Sequence, residues 1–365
     1  MRILYLMNYA GEGGSETYVE NLAAALWGAN QIHFIYHLPG KLVGVMEALG
    51  AAVFRLDMPS PFDRKAVAAL TAYVDKHGIE VIHTQFPREN YLALLVKRRR
   101  KAVKVIYTSH IITEDTFIKK QLNKHFLKRN DAVIALCARN IDALVRNGYP
   151  KHLIHRIYNG VPLPTDSGGD NLAVRNEFGI ERGCFVFITA TRFTPEKGVP
   201  FLLEAAEALT KRLRFRLIIA GDGPDRAEME ALATAKGLAD TVHFAGYRND
   251  MPALLSASDC FLNSSANENI SFAILEAMAH GLPIIATNVG GNSEILSEES
   301  DCGLLAGYGD AAGYAAAMER MITDTDLLRR CGQNTVNAIK TRFSIDMTIA
   351  STYNLYKGDS KGDTA

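Results

Sequence analysis

Two series of short apolar runs, each alternating with segments of helical spacing, constrain this chain more than any single residue does. In the first half the runs are RILYLM (2–7), QIHFIYHL (31–38), AVFRLDM (52–58), VIHTQ (81–85), KVIYTSH (104–110) and DAVIALC (131–137). The second series is CFVFITATRF (184–193), RLIIAGDG (216–223), VHFAGY (242–247), CFLNSS (260–265), PIIATNV (283–289) and GLLAG (303–307). Runs rich in Val, Ile, Phe and Tyr that recur between helical stretches are the pattern of βαβ units. Each series therefore predicts an α/β domain with a doubly wound parallel sheet.

At 365 residues the chain exceeds what one hydrophobic core usually serves, which agrees with two domains. Between the series lies VPLPTDSGGDN (161–171), poor in apolar residues and rich in Pro and Gly, which suits a linker. The expected division is a first domain over 1–164 and a second over 165–340. A helix over 341–357 follows, with Phe343, Met347, Ile349, Tyr353 and Tyr356 at helical spacing, then a polar tail over 358–365 that should be mobile.

Hydrophobic residues make up 48% and charged residues 22%, and no apolar run reaches the roughly 18 residues of a membrane span. The N-terminus MRILYLMNYAG reads as a buried strand entering a glycine-rich loop rather than as a secretory signal, so a cytoplasmic location is expected. Cys137, Cys184, Cys260, Cys302 and Cys331 are widely spaced and odd in number, which suggests free thiols rather than disulfides or a zinc site. The net charge of zero hides an asymmetry: residues 1–163 hold 22 Lys+Arg against 13 Asp+Glu, and the rest holds 18 against 27. Basic clusters at KRRRK (97–101) and at Lys119, Lys120, Lys124, Lys128 and Arg129 are either solvated helix faces or a peripheral dock for anionic lipid at the inner membrane face. No nucleic-acid partner is expected.

Open α/β sheets bind ligands beyond the carboxyl ends of their strands, so chemistry is sought in those loops. The loop after the first strand carries Gly11, Gly13 and Gly14 ahead of a helix that starts near Ser15, a place where backbone N–H groups can meet an anion. It is not the G-x-G-x-x-G dinucleotide fingerprint, because Glu16 stands where the third glycine should be. After CFVFITATRF, the stretch TPEKG (194–198) puts Arg192 and Lys197 on one loop, where a guanidinium fork and an ammonium could hold a diphosphate. AGDGP (220–224), with Gly221 and Gly223, and FAGY (244–247), with Gly246, end two further strands at tight turns.

The segment NSSANENISFAILEAMAHGLP (263–283) is the most specific. Ser271 can cap a helix running through His280, Gly281 suits the left-handed position beyond it, and Pro283 stops it. Glu268 then lies in the loop ahead of the helix. Glu276 sits about 8 Å along the helix from Ser271, within reach of a ribose whose diphosphate occupies the helix N-terminus.

These motifs, in this order, resemble glycosyltransferase family 4, retaining nucleotide-sugar transferases of GT-B architecture. The quoted features are GGSE (13–16), NGV (159–161), RFTPEKG (192–198), GDGP (221–224), E-x7-E from Glu268 to Glu276, and EAMAHGLPIIATNVGGNSEIL (276–296). The resemblance implies two Rossmann-like domains facing across a cleft, with the final helix crossing back to the first, acceptor-side domain. It implies that Arg192 and Lys197 bind the diphosphate, Glu276 the ribose and Glu268 the donor sugar. Asn269, Ile270, Ser271 and Phe272 would contact sugar and phosphate, His110 would face the sugar, and Gly13 and Gly14 would lie over the phosphates. Gly221, Gly223 and Gly246 are counted with the donor-binding loops.

The implied activity is hexosyl transfer from a nucleoside-diphosphate sugar, UDP first and GDP second, to an acceptor hydroxyl with retention. The acceptor would be a sugar, lipid or polysaccharide of envelope glycan, glycolipid or polysaccharide synthesis, with no cofactor or metal required. Two other readings use the same motifs: an epimerase or hydrolase of the same architecture, and a non-catalytic nucleotide-sugar-binding protein. The chain departs from the family at Asn269-Ile270-Ser271, where Gly-Phe-Gly is common, at Pro162, where Asp is common, and at Cys137, where Ser is frequent.

Overall fold

The computed structural model describes residues 1–164 and 171–359, with helices and parallel strands alternating along the chain. The strands are β1 (Arg2–Tyr9), β2 (Gln31–Leu38), β3 (Ala52–Arg55), β4 (Val81–Thr84), β5 (Lys104–Ser109), β6 (Ala132–Ala135), β7 (Ile154–Arg156), β8 (Val186–Ala190), β9 (Arg216–Ala220), β10 (Val242–Gly246), β11 (Cys260–Asn263), β12 (Ile284–Thr287) and β13 (Gly303–Ala306). They form a seven-stranded sheet, β3-β2-β1-β4-β5-β6-β7, and a six-stranded sheet, β10-β9-β8-β11-β12-β13, both parallel in every pairing. Every run read as a strand forms one. The addition is β7, a three-residue edge strand paired only with β6.

Helices on both faces explain why the central strands are apolar throughout. Ile3 to Met7 of β1 are fully buried, as are Val186 to Ile188 of β8, because each sheet is covered twice. The first compact unit comprises Met1–Asn159 and the chain from Ile345; the second is Gly160–Ser344. The division falls at Asn159, ahead of the proline-rich stretch rather than near 164, and residues 165–170 of that stretch lie outside the described residues.

The segment expected as one helix over 341–357 begins later, at Ile345: Thr341 closes the preceding helix Thr325–Thr341, and residues 342–344 turn between the two. The final helix Ile345–Lys357 packs within the first unit. The Tyr356 hydroxyl lies 2.5 Å from His83 Nδ1, Lys104 Nζ donates to Tyr356 O at 2.8 Å, and Thr348 Oγ1 donates to Tyr158 O at 2.9 Å. The tail expected to be mobile falls, from residue 360 on, outside the described residues. Four cysteines are buried and Cys184 is half-buried, all as free thiols. Among the described residues no helix is long and apolar enough to cross a membrane.

Candidate active site

In the second sheet β8 and β11 are neighbours although β9 and β10 lie between them in sequence. The connections leave these two strands in opposite directions, which opens a crevice at their carboxyl ends. The loop after β8 runs through Arg192 to the short turn Pro195–Lys197; the loop after β11 runs through Ser264 to Ser271. Backbone and side-chain bonds lace the two together. Ala266 N donates to Glu196 O at 2.8 Å, and Ser264 Oγ donates to Lys197 O at 2.9 Å. Gly198 is in the left-handed region, at φ 66°, and any side chain there would overlap the Ser264 carbonyl.

The lacing brings Lys197 Nζ to 2.6 Å from Glu268 Oε1, and Ser265 Oγ donates to the same oxygen at 2.7 Å. Both side chains are partly buried, with side-chain exposures of 23% and 11%, so the pair is screened less than a surface ion pair. Arg192, five residues before Lys197, is exposed and makes no ion pair among the described residues. The Glu196 carboxyl is held below its usual range, chiefly by a hydrogen bond from its own backbone, with the Lys197 and Arg192 charges adding to the effect. The second switch point thus holds two cations, Lys197 paired with Glu268 and Arg192 exposed without an ion pair among the described residues.

The helix after this loop spans Phe272–Ala279, with Ser271 at the N-cap position, His280 at the C-cap and Gly281 left-handed at φ 77°. Ser271 is therefore where the sequence puts it, but its side chain makes no capping hydrogen bond, which corrects the expected cap. The N–H groups of the first turn are left for another acceptor. Glu276 lies one turn on. It is reached by solvent, yet enough protein surrounds it that desolvation raises its carboxyl pKa.

The strand β12 supplies support that the sequence reading did not single out. Thr287 Oγ1 donates to Ser265 O at 2.5 Å, and Gly291 N donates to Asn269 O at 3.1 Å. Gly290, at φ 52°, passes so close that a Cβ would overlap the Glu268 carbonyl oxygen. Buried Asn292 donates to Asn263 Oδ1 at 3.2 Å and to Thr287 O at 3.0 Å. The signal was present as the polar run TNVGGN at the carboxyl end of an otherwise apolar strand. Gly221 and Gly223 pack against the backbone of Thr191 and Phe193, and Gly221 N donates to Gly246 O at 2.7 Å, so these glycines shape the wall beside Arg192.

The first sheet has its own switch point, between β1 and β4. The helix after β1 is Gly14–Leu26 with Gly13 at its N-cap, one residue earlier than expected. The loop before it is tied at its base: Ala10 N donates to Leu38 O at 3.0 Å, and Leu42 N donates to Ala10 O at 3.1 Å. Glu89, fully buried, accepts from Asn8 N, and Arg88 Nη1 donates to Asn8 Oδ1 at 2.9 Å. Burial pushes the Glu89 carboxyl up to about 7. Glu89 was missed; its signal is an acidic residue just ahead of the apolar run YLALLV.

His110 follows β5 and pairs through Nε2 with Gln85 Oε1 at 2.8 Å, beside the ring of Tyr18 at 5.2 Å. Desolvation pushes its pKa down to about 3, so the ring is neutral at physiological pH. The structure brings Arg192, Lys197, Glu268, Glu276 and the 269–272 corner together at one switch point. It places His110, Gly13 and Gly14 in the other unit.

Comparison with known proteins agrees with this geometry. The family model for glycosyl transferases group 1 matches residues 170–338, and that for Glycosyltransferase Family 4 matches residues 12–164. The Escherichia coli UDP-Gal:alpha-D-GlcNAc-diphosphoundecaprenol alpha-1,3-galactosyltransferase is 28% identical, covering 80% of this chain and 79% of its own. The Bacillus anthracis N-acetyl-alpha-D-glucosaminyl L-malate synthase is 22% identical over 81% of this chain and 79% of its own. Anabaena HepE, solved in complex with UDP, superposes with a TM-score of 0.86 at 21% identity, covering 98% of this chain and 100% of that one. At that identity the superposition shows the fold, which is the GT-B fold. The chain belongs to the group 1 glycosyltransferases of glycosyltransferase family 4.

Proposed function

We propose that this glycosyltransferase moves a hexosyl group from a UDP-sugar to an acceptor hydroxyl with retention of anomeric configuration. The observation that carries the reading is the Lys197–Glu268 pair, held at 2.6 Å beside an uncapped helix N-terminus at the β8/β11 switch point. A diphosphate there would meet the Arg192 fork, the Lys197 ammonium and the first-turn N–H groups, which together stabilise the charge that develops on a departing nucleotide. Glu276 would accept from the ribose hydroxyls. Two vicinal donors would relieve the desolvation that raises the pKa of this carboxyl.

Glu268, oriented by Lys197 and Ser265, would accept from a hydroxyl of the transferred sugar, with the backbone of Asn269, Ile270, Ser271 and Phe272 alongside. In the proposed step the bond from the anomeric carbon to the phosphate oxygen breaks. The acceptor oxygen bonds to that carbon from the same face, and the acceptor proton passes to the leaving phosphate. No step in this scheme is routed through a metal. Gly13, Gly14 and neutral His110 are assigned to the phosphates and the sugar as part of the same proposal. The likeness to HepE in complex with UDP favours uridine as the base.

The test is twofold. A thermal-shift panel of UDP, GDP, ADP and their sugars identifies the donor, because a ligand that binds only the folded state raises its midpoint. NMR of the product bond then reads the anomer: retention supports the reading and inversion overturns it. Donor incubated without acceptor should give at most slow hydrolysis; full conversion to an epimer would instead mark the enzyme as an epimerase.

A further inference from the structure

The switch point of the first sheet holds aromatic rings where that of the second holds cations, and the transfer scheme leaves those rings unused. Leu6 of β1 pairs with Thr84 of β4, so Tyr9 and Phe86 follow on neighbouring strands just beyond the last β1/β4 pairing. Tyr9 is 52% exposed, yet its place is built. The ring lies so close to Gly11 that a Cβ there would fall 2.1 Å from Tyr9 Cε1, and a side chain at position 11 would displace it. Leu42 N donates to Gly11 O at 3.3 Å, which fixes the backbone against which the ring rests. The Phe86 ring lies 5.9 Å from that of His110.

Charge in these two loops is already engaged. The charged side chains of residues 8–16 and 85–89 are Glu12, Glu16, Arg88 and Glu89. Glu12 pairs with Lys41 at 2.6 Å, Glu16 accepts from Ser15 Oγ at 2.7 Å, and Glu89 is sealed against Asn8 N. Arg88 donates through Nη1 to Asn8 Oδ1 and through Nη2 to Pro59 O, and its Nε is buried. Among the described residues of the two loops no cation is left open to a carboxylate or a phosphate.

The polar groups that remain are of a different kind. Gln85 Oε1 only accepts, so His110 Nε2 donates to it at 2.8 Å. That leaves His110 Nδ1 as an acceptor and the buried Gln85 Nε2, which has no hydrogen-bond partner, as a donor in need of an oxygen. A hydroxyl can donate and accept, whereas an ionised carboxylate only accepts.

We infer that the acceptor moiety is an uncharged sugar ring, held with its C–H face against Tyr9 and a hydroxyl toward the Gln85–His110 pair. The inference rests on the transferase reading and names the class of its acceptor. A pyranose has an apolar face of C–H bonds, which an exposed aromatic ring shields from water, and a rim of hydroxyls that both donate and accept. Sugar phosphates and hydroxy acids, whose recognition calls for a cation, are the acceptors this end of the sheet disfavours.

The experiment uses the full chain, the UDP-sugar picked out by the thermal-shift panel, and three sets of acceptors, read by release of UDP. The sets are methyl glycosides of glucose, galactose, mannose and N-acetylglucosamine, the corresponding sugar phosphates, and the hydroxy acids malate and glycerate. At least one methyl glycoside should raise UDP release about tenfold or more above hydrolysis, and its phosphate should be the poorer acceptor. Tyr9→Ala should raise the KM for that glycoside about tenfold with a smaller change in kcat, and Tyr9→Phe, which keeps the ring, should return KM to within about twofold of wild type. Affinity for UDP, read by titration, should be the same in all three proteins. A sugar phosphate or hydroxy acid that serves as well as the glycosides or better would overturn the proposal, as would the absence of stimulation by every glycoside. A Tyr9→Ala variant with the wild-type acceptor KM, or with a raised KM for the donor instead, would overturn it too. Failure of the transferase reading shows separately: a wild type that neither binds UDP nor releases it from any donor would overturn that reading and this proposal with it.

Discussion

The two sheets carry the same device at the same place, a topological switch point, and furnish it with opposite chemistry. At β8/β11 the side chains are charged and partly open: Arg192 is exposed, Lys197 and Glu268 face each other at 2.6 Å, and Glu276 is reached by solvent. At β1/β4 and the adjoining end of β5 they are polar, enclosed and largely neutral. His83, with Nε2 at 2.8 Å from Thr108 Oγ1, and His110 are both pushed down to about 3, and Glu89 is pushed up to about 7. Desolvation is the leading cause in all three. One crevice is suited to meeting a polyanion. The other ties its own loops together through enclosed side chains, Arg88 and Glu89 on Asn8 and Gln85 on His110, and the fold alone does not decide which is which.

The contrast breaks most visibly at Lys197. Replacing it with Ala should lower kcat/KM by about 100- to 1000-fold, the range seen when one group that stabilises a developing charge is removed, with the thermal midpoint little changed. Wild-type turnover would contradict the charged role assigned to this crevice. Glu268→Gln keeps the volume and a carbonyl acceptor for Ser265 but deletes the charge opposite Lys197. It should cost about 10- to 100-fold in turnover, as expected for a hydrogen bond involving a charged group. If steady-state kinetics show only a small change, the sugar contact lies elsewhere.

A third test addresses the support and not the charges. Gly290→Ala forces a left-handed alanine against the Glu268 carbonyl, a strain of about 1–3 kcal/mol that should lower the midpoint and weaken UDP binding together. Normal binding in a destabilised variant would detach the Glu268 corner from the donor.

A pH-dependent test sharpens the other side of the comparison. A carboxyl whose folded pKa is raised favours the protonated native state, so Glu89 costs stability as pH climbs from the unfolded value of 4.5 through about 7. Glu89→Gln should therefore gain midpoint over wild type with rising pH, the difference widening by roughly 2–3 kcal/mol between pH 5 and pH 8. A difference independent of pH would show that Glu89 is ionised in the folded protein. His110, already neutral, should add no inflection to the activity profile between pH 5 and 8.

Most strands were legible because a strand buried on both faces reads as a continuous apolar run, and RILYLM or RLIIA leaves no other reading. Ile154–Arg156 was not, since a three-residue edge strand with His and Arg has neither length nor pattern. Arg192, Lys197, Glu268 and Glu276 could be named from loop position and motif spacing. What the sequence withheld was their joining: the Lys197–Glu268 pair spans 71 residues and depends on Ser264, Gly198 and Gly290, whose roles exist only in the folded loops. Ser271 shows the limit of local reading, because a residue of capping type in the capping position makes no cap. Glu89 shows the other limit. In QFPRENYLA it looks like a first-turn acid favoured by the helix dipole, and only the fold reveals that it is sealed in and holding Asn8.

The central claim is that the β8/β11 crevice is the diphosphate site of a nucleotide-sugar transferase. Isothermal titration of UDP and of uridine into the wild type and Lys197→Ala, at one low ionic strength, tests it directly. UDP should bind the wild type, uridine should bind at least about tenfold more weakly, and Lys197→Ala should lose about tenfold or more for UDP while leaving uridine unchanged. Equal affinity of UDP for both proteins would contradict the account.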